Sequence, residues 1–308
     1  MKIVYLGTPD FSVKPLESIL NSRHEVLAVV TQPDKPVGRK AIITPCDVKR
    51  FAIEKGLKTL SYNKIRVEGV DDLKALNPDI MVTCAYGQIL SREILDIPKY
   101  GVINVHASLL PKYRGSSPIQ WSIINGETET GVTIMQTEEG VDTGAIISQQ
   151  KTQILPTETA GELFDRLSVI GANLIVKTLD DIEAGNYATK EQNHALATHT
   201  SILKKQDGII NFNASAGEVY NLIRGLNPWP VAFTYLGGKT LKIYSATVVD
   251  GVGKAGEIIA YDKTNGFIVA TSNKALKINE LQLEGSKKMS ASEFMLGRKL
   301  TVGQILGE

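Results

Sequence analysis

The first two-thirds of the chain repeats one pattern that few folds can satisfy. A short apolar run ends at a turn signal, and a stretch of helical spacing follows before the next run. The runs lie at residues 2–6, 25–31, 79–84 and 102–106. Runs this short and apolar read as strands buried on both faces, and helices between them call for parallel pairing. Gly7-Thr8-Pro9-Asp10 ends the first run, with Asp10 as the expected N-cap of a helix to about residue 20. Thr44-Pro45 opens a second helix that ends near Gly56, and Pro118 opens another that stops at Gly126. Further strands are expected at 132–136 and 145–148. A long helix from Thr157 to Gly185 keeps Leu163, Leu167, Ile170, Leu174 and Ile182 at helical spacing. The expected fold class is α/β, with a parallel sheet whose ligands bind outside the carboxyl ends of the strands.

The texture changes at residues 189–206. They are polar without a period, so they read as a linker, with His194 and His199 solvated. One short helix follows at 215–226. Short strands then alternate with turn signals at 232–236, 241–249, 256–261, 267–271 and 275–283. That spacing predicts a small C-terminal β-barrel. The expected organisation is a first domain over 1–188 and a second over 207–308. Net charge is only +1 across 308 residues, so no overall basic field points to nucleic acid. The distribution is uneven: residues 201–308 carry 13 basic and 9 acidic residues, a net of +4, against −3 for residues 1–200. Cys46 and Cys84 make no disulfide framework, and four scattered histidines give no zinc pattern, so no metal is expected. The start shows no signal-peptide pattern, and no apolar run approaches the ~18 residues that span a membrane. A reducing cytoplasmic location without a membrane partner is the expectation.

Asn104 interrupts the apolar run at 102–106, and His106 ends it. Side chains alternate along a strand, so the two project to one side at its carboxyl end. An amide donor beside a titratable imidazole suits acyl transfer, in which a developing oxyanion needs a donor and a leaving group needs a proton. Asp142, in Glu139-Gly140-Val141-Asp142-Thr143-Gly144, can fix the imidazole tautomer if the fold returns it there. An isolated Asn-x-His is more often structural than catalytic, so the weight rests on its context. The loop Pro33-Asp34-Lys35-Pro36-Val37-Gly38-Arg39-Lys40 leaves a strand end on the same rim. Its basic residues Lys35, Arg39 and Lys40 suit a phosphate-rich substrate. The turn at Gly7 lacks the later glycines of a dinucleotide fingerprint, so NAD and FAD are not supported.

The string Ile103-Asn104-Val105-His106-Ala107-Ser108-Leu109-Leu110-Pro111-Lys112-Tyr113-Arg114-Gly115 and its continuation to Gln120 resemble the folate-dependent formyltransferase superfamily. So do the string from Glu129 to Gln136 and the later Val141-Asp142-Thr143-Gly144. Four further strings are similar to the branch that acts on methionyl-tRNA. They run from Gly7 to Phe11, from Thr31 to Arg39, from Arg224 through Asn227-Pro228-Trp229 to Pro230, and from Gly297 to Gly303. The resemblance covers nearly the whole chain. It departs at Ala107, where the family string often has glycine, and after Arg39, where Lys40-Ala41-Ile42-Ile43 is less basic.

The resemblance implies a fold class of α/β with a Rossmann-like parallel-sheet N-terminal domain, a C-terminal OB-fold-like β-barrel that binds tRNA, and 10-formyltetrahydrofolate as formyl donor. It implies methionyl initiator tRNA as acceptor, no DNA partner and a monomer. Asn104, His106 and Asp142 would be catalytic. Folate would lie against Ser108, Leu109, Leu110 and Pro111, and against Tyr86, Gly87, Gln88, Ile89 and Leu90. Arg39, with Lys35 and Lys40, would approach the tRNA. The implied reaction is attack by the neutral α-amine of esterified methionine. Asn104 and His106 would hold the oxyanion, and His106, oriented by Asp142, would handle the proton. Two alternatives stay open on the residues alone. The same trio could formylate an amino-sugar nucleotide or a purine-pathway amine, or the chain could be a silent RNA-binding module. The length and the 33–40 loop weigh against the first, and the intact trio against the second.

Overall fold

The structure is a computed structural model that describes residues 1–38, 40–262, 266–297 and 300–307. The chain forms two compact units. The first comprises Met1–Gly115, Glu129–Gln153 and Phe164–Thr200; the second comprises Ser116–Thr128, Ile154–Leu163 and the chain from Ser201 on.

The first unit is built on a seven-stranded sheet. Its strands are β1 (Lys2–Gly7), β2 (Glu25–Thr31), β3 (Thr59–Ser61), β4 (Ile80–Cys84), β5 (Val102–His106), β6 (Glu129–Gln136) and β7 (Ile146–Gln153). They lie in the order β7-β6-β5-β4-β1-β2-β3. The strands β1 to β5 run parallel, and β6 and β7 add an antiparallel edge. The central strand β1 buries Ile3, Val4, Tyr5 and Leu6 completely, as its apolar run requires. The chain moves outward from β1 to β2 and β3, then returns to β1's other side for β4 and β5. That reversal opens a crevice at the carboxyl ends of the strands.

Three local readings change. Asp10 does not cap the first helix: it opens a 3-10 turn, Asp10–Ser12, and its Oδ1 accepts from the Phe11 amide at 3.0 Å. The helix Val13–Leu20 then starts without a side-chain cap. The three-residue β3 was not expected, because Thr59-Leu60-Ser61 is too short to carry a periodic signal. The last strand runs on to Gln153 rather than stopping at 148, since an edge strand pairs on one side and needs no apolar pattern.

In the second unit, β8 (Ala232–Leu236), β9 (Lys239–Val249), β10 (Ile258–Asp262), β11 (Gly266–Ala270) and β12 (Ala275–Leu283) form an antiparallel sheet in the order β8-β9-β12-β11-β10. Leu241, Ile243, Phe267, Val269, Leu276, Ile278 and Leu281 fill its core. Helix Ala216–Gly225 packs on β9 behind a capping box between Ser215 and Glu218. The two edges of this sheet are joined by the terminal segment. The Ile258 amide donates to Gln304 O at 2.8 Å, the Leu306 amide to Gly256 O at 2.8 Å, and the Gly307 amide to Tyr235 O at 2.9 Å. One short stretch therefore satisfies backbone groups beside β10 and on β8. Among the described residues, no helix is long and apolar enough to cross a membrane.

Cys84 lies in β4, and burial pushes its thiol up to about 11. The reactive form is the thiolate. At pH 8 a native titration with a thiol-reactive chromophore is expected to count one thiol, the partly exposed Cys46, with Cys84 appearing only on unfolding. Two fast thiols in the native protein would mean that the sheet opens at β4.

Candidate active site

The carboxyl end of β5 gathers the three polar residues that the sequence singled out. Asn104 and His106 alternate with buried Val105 and so share one side. Thr83 of β4 stands opposite Asn104 in register, and its hydroxyl donates to Asn104 Oδ1 at 2.9 Å. That bond turns the amide so that Nδ2 faces outward. Nδ2 reaches Asp142 Oδ1 at 3.4 Å. Asp142 Oδ2 lies 3.6 Å from His106 Nδ1 and accepts from the Gly115 amide at 2.7 Å. Asp142 sits in a left-handed turn, φ +52°, a conformation asparagine and aspartate tolerate better than most residues.

His106 is only 6% exposed. Its Nε2 stands 2.9 Å from the Tyr113 carbonyl. A carbonyl can only accept, so Nε2 bears a proton whether the ring is neutral or charged. The nitrogen that gains and loses a proton is therefore Nδ1, the one beside Asp142.

The residues after His106 wrap tightly. Ser108 is fully buried, and its hydroxyl donates to Lys112 O at 2.7 Å. From β6, the Thr133 hydroxyl donates to Ser108 O at 2.7 Å and accepts from the Leu110 amide at 3.2 Å. From β7, Gln149 Nε2 donates to Leu110 O at 2.9 Å. Leu109 packs on Gly131, where a Cβ would come within 2.6 Å of it. Ser108 to Pro111 thus forms a braced loop beside His106.

The loop after β4 occupies the same edge. Tyr86 and Leu90 are buried, and Ile89 between them is 65% exposed. The Tyr86 carbonyl accepts from Thr8 Oγ1 and from Gln32 Nε2, both at 3.1 Å. Gln88 donates to Tyr62 O at 2.8 Å and accepts from the Ile65 amide at 2.9 Å. Gly87 takes φ +84°. The turn at Gly7-Thr8 supports this loop through the Thr8 hydroxyl.

The basic loop is a two-stranded ribbon, Lys35–Val37 paired with Ile42–Thr44. Lys35 and Lys40 are exposed, and Arg39 lies outside the described residues. Lys49 holds the base of the ribbon through Asp34 at 2.8 Å.

Reading the sequence missed Thr83 and Gln192. Gln192 falls in the stretch expected to be a solvated linker, yet it is 4% exposed. Its Nε2 donates to Asp142 O at 2.9 Å and Gly144 O at 2.7 Å, and its Oε1 accepts from buried Arg114. His194 is exposed as expected, but its Nδ1 stands 3.0 Å from Arg114 Nη2. A single glutamine in a polar stretch carries no signal that could have found this.

A formyl transferase family model matches residues 1–179, and the model of the formyl transferase C-terminal domain matches residues 202–299. The chain is 46% identical to the methionyl-tRNA formyltransferase of Lachnospira eligens, with 100% of both chains covered. It is 46% identical to that of Geobacter metallireducens, covering 100% of this chain and 99% of the relative. The chain belongs to the methionyl-tRNA formyltransferase family. Its fold is also that of an N-formyltransferase from Helicobacter canadensis, crystallised in complex with folinic acid and dTDP-3-aminofucose. The TM-score is 0.68 at 22% identity, covering 94% of this chain and 100% of that one.

The loop that carries Asp142 has little room in this formyltransferase. A Cβ on Gly144 would collide with the Gln136 carbonyl. Gly144→Ala is expected to cost about 1–3 kcal/mol, the range for overpacking. The midpoint of urea unfolding reads this, and an unchanged midpoint would show that the loop can yield.

Proposed function

We propose that this chain transfers the formyl group of 10-formyltetrahydrofolate to the α-amino group of methionine esterified to initiator tRNA, giving N-formylmethionyl-tRNA. The observation that carries this reading is 46% identity along the whole chain to a relative of that name, with Asp142 3.4 Å from the Asn104 amide and 3.6 Å from His106 Nδ1 at the sheet's carboxyl edge. On this reading residues 1–188 are the catalytic domain, 189–206 link it onward, and 207–308 form a tRNA-binding β domain; the chain from residue 201 on carries the +4 balance that favours phosphate. The protein would act as a monomer in the cytoplasm.

The edge of the sheet fits a folate. Ile89 offers an apolar side chain that the fold leaves uncovered, as the face of a flat ring requires. Gly87 has no side chain between its backbone and the crevice, and Ser108 to Pro111 is held rigid by Thr133 and Gln149. Tyr86, Gly87, Gln88, Ile89 and Leu90 on one side, with Ser108, Leu109, Leu110 and Pro111 on the other, would hold the donor. When bound, the donor supplies an electrophilic formyl carbon.

Asn104 Nδ2 has two hydrogens. One faces Asp142, and the other is free to donate to the oxygen on which negative charge gathers. A donor of this kind contributes roughly 2.7–4 kcal/mol. His106 Nδ1 is the exchangeable position, so it takes or gives the proton, and the Asp142 carboxylate stabilises the imidazolium while Tyr113 O holds its far side. An esterified α-amine needs little help to lose its proton, since a free one has a pKa of about 7.7–8.0 and esterification lowers it. The greater need is to protonate the departing folate nitrogen, and His106 is the group positioned to do it.

Asn104→Ala and His106→Ala are each expected to lower kcat at least ~100-fold, with KM for tRNA nearly constant. Asp142→Asn is expected to be as severe, because it removes the charge that supports imidazolium. Near-normal turnover by His106→Ala in a transfer assay with charged initiator tRNA would take His106 out of the reaction. Parallel assays with an amino-sugar nucleotide decide the acceptor.

Lys35, Arg39 and Lys40 would meet tRNA phosphates. Replacing any of them with alanine is expected to weaken tRNA binding and flatten the slope of log K against log salt by about 0.7–0.9 per contact. Donor affinity is expected to stay unchanged. A loss of folate affinity in these variants would put the ribbon at the wrong substrate.

A further inference from the structure

We propose that Gln192 is a positioning residue for this reaction: it holds the turn at Asp142 so that the carboxylate faces His106, Asn104 and the Gly115 amide. The proposal rests on the roles given above to Asn104, His106 and Asp142. The left-handed backbone at Asp142 persists only if its surroundings hold it. Gln192 supplies that hold. Its two amide hydrogens go to Asp142 O at 2.9 Å and Gly144 O at 2.7 Å, bracketing the turn. Its carbonyl accepts from Arg114 Nε at 3.1 Å and Nη2 at 2.7 Å. A primary amide has two donor hydrogens and two acceptor lone pairs, and here all four are engaged.

These bonds close a ring. Arg114 precedes Gly115, whose amide donates to Asp142 Oδ2 at 2.7 Å. Gln192 grips Arg114 on one side and the carbonyls of the Asp142 turn on the other. It therefore fixes the spacing between the amide that receives the carboxylate and the turn that presents it. Arg114 is anchored in turn, with its amide donating to Thr198 O at 2.8 Å and its carbonyl accepting from Thr200 Oγ1 at 3.0 Å. With Gln192 and Arg114 buried, water cannot stand in for a lost bond without opening the turn.

Glutamate at this position separates the two halves of the ring. It keeps the size and gains charge for Arg114, but it has no hydrogens for the two carbonyls. Gln192→Glu is expected to lower kcat about 10–100-fold, the scale of a misplacement near 1 Å, with KM for donor and tRNA within about twofold. In an Asp142→Asn background the further loss is expected to fall below about twofold, because no carboxylate remains to aim. A residue that merely supports the fold would cost the same factor in both backgrounds. Gln192→Met, of similar length and without hydrogen bonds to either side, covers the case in which the buried glutamate prevents folding, and the same cycle applies to it.

Amide hydrogen exchange at Gly115 gives a readout independent of catalysis. It is expected to quicken on the order of tenfold in Gln192→Glu or Gln192→Met, the equivalent of one hydrogen bond's net contribution. Wild-type kcat in both variants, equal losses in both Asp142 backgrounds, or unchanged Gly115 exchange would each overturn the proposal. Faster Gly115 exchange in a protein that transfers no formyl group to charged tRNA would instead overturn the proposed function and leave the positioning intact.

Discussion

One carboxylate organises the end of the sheet. Asp142 arrives from the turn between β6 and β7 and meets the Asn104 amide, the His106 ring and the Gly115 backbone. The Asn104 and Gly115 nitrogens donate to it, and His106 Nδ1 turns a hydrogen toward it once the ring is charged, so an anion with several lone pairs suits all three. The cost of partly burying that charge is offset by these same donors. An amide at position 142 would turn its own hydrogens toward nitrogens that also donate. The constraint then spreads outward: His106 needs Tyr113 O for its other nitrogen, and Asn104 needs Thr83 to keep its oxygen turned away.

Much of this was legible in the residues. The parallel sheet follows from apolar runs too short for helices and too continuous for an exposed face. The run at 102–106 is observed with the same limits as expected. The pairing of Asn104 with His106 follows from the two-residue period of a strand, and the antiparallel second unit follows from its turn-punctuated strands. That Asp142 meets them required the connection from β6 to β7 to return to β5, which no local pattern specifies.

Other parts were illegible for physical reasons. Thr83 reads as one more β-branched residue in a buried strand, and its use emerges only from register with β5. Gln192 and Arg114 act across 78 residues of separation, and neither belongs to a periodic segment. The ribbon Lys35–Val37 and Ile42–Thr44 is too short and too Pro/Gly-rich to announce itself. Ile42 and Ile43 sit exposed on it, so hydrophobicity there carries no information about burial.

The second unit is drawn from distant parts of the chain. Trp121 and Ile124, at 116–128, pack against a core completed by strands that begin after residue 231, and the segment around 303–307 ties the sheet's edges. The first unit is likewise interrupted by pieces of the second. During synthesis neither unit can be finished from a contiguous stretch. The helix Pro118–Ile124 emerges with an apolar face whose partners are still untranslated, and the first sheet gains β6 and β7 only after that helix. The first unit has all of its pieces once Thr200 is made, while the second waits for the rest of the chain. Contacts between residues far apart in sequence form late, so the apolar face of that helix stays uncovered until its partners arrive.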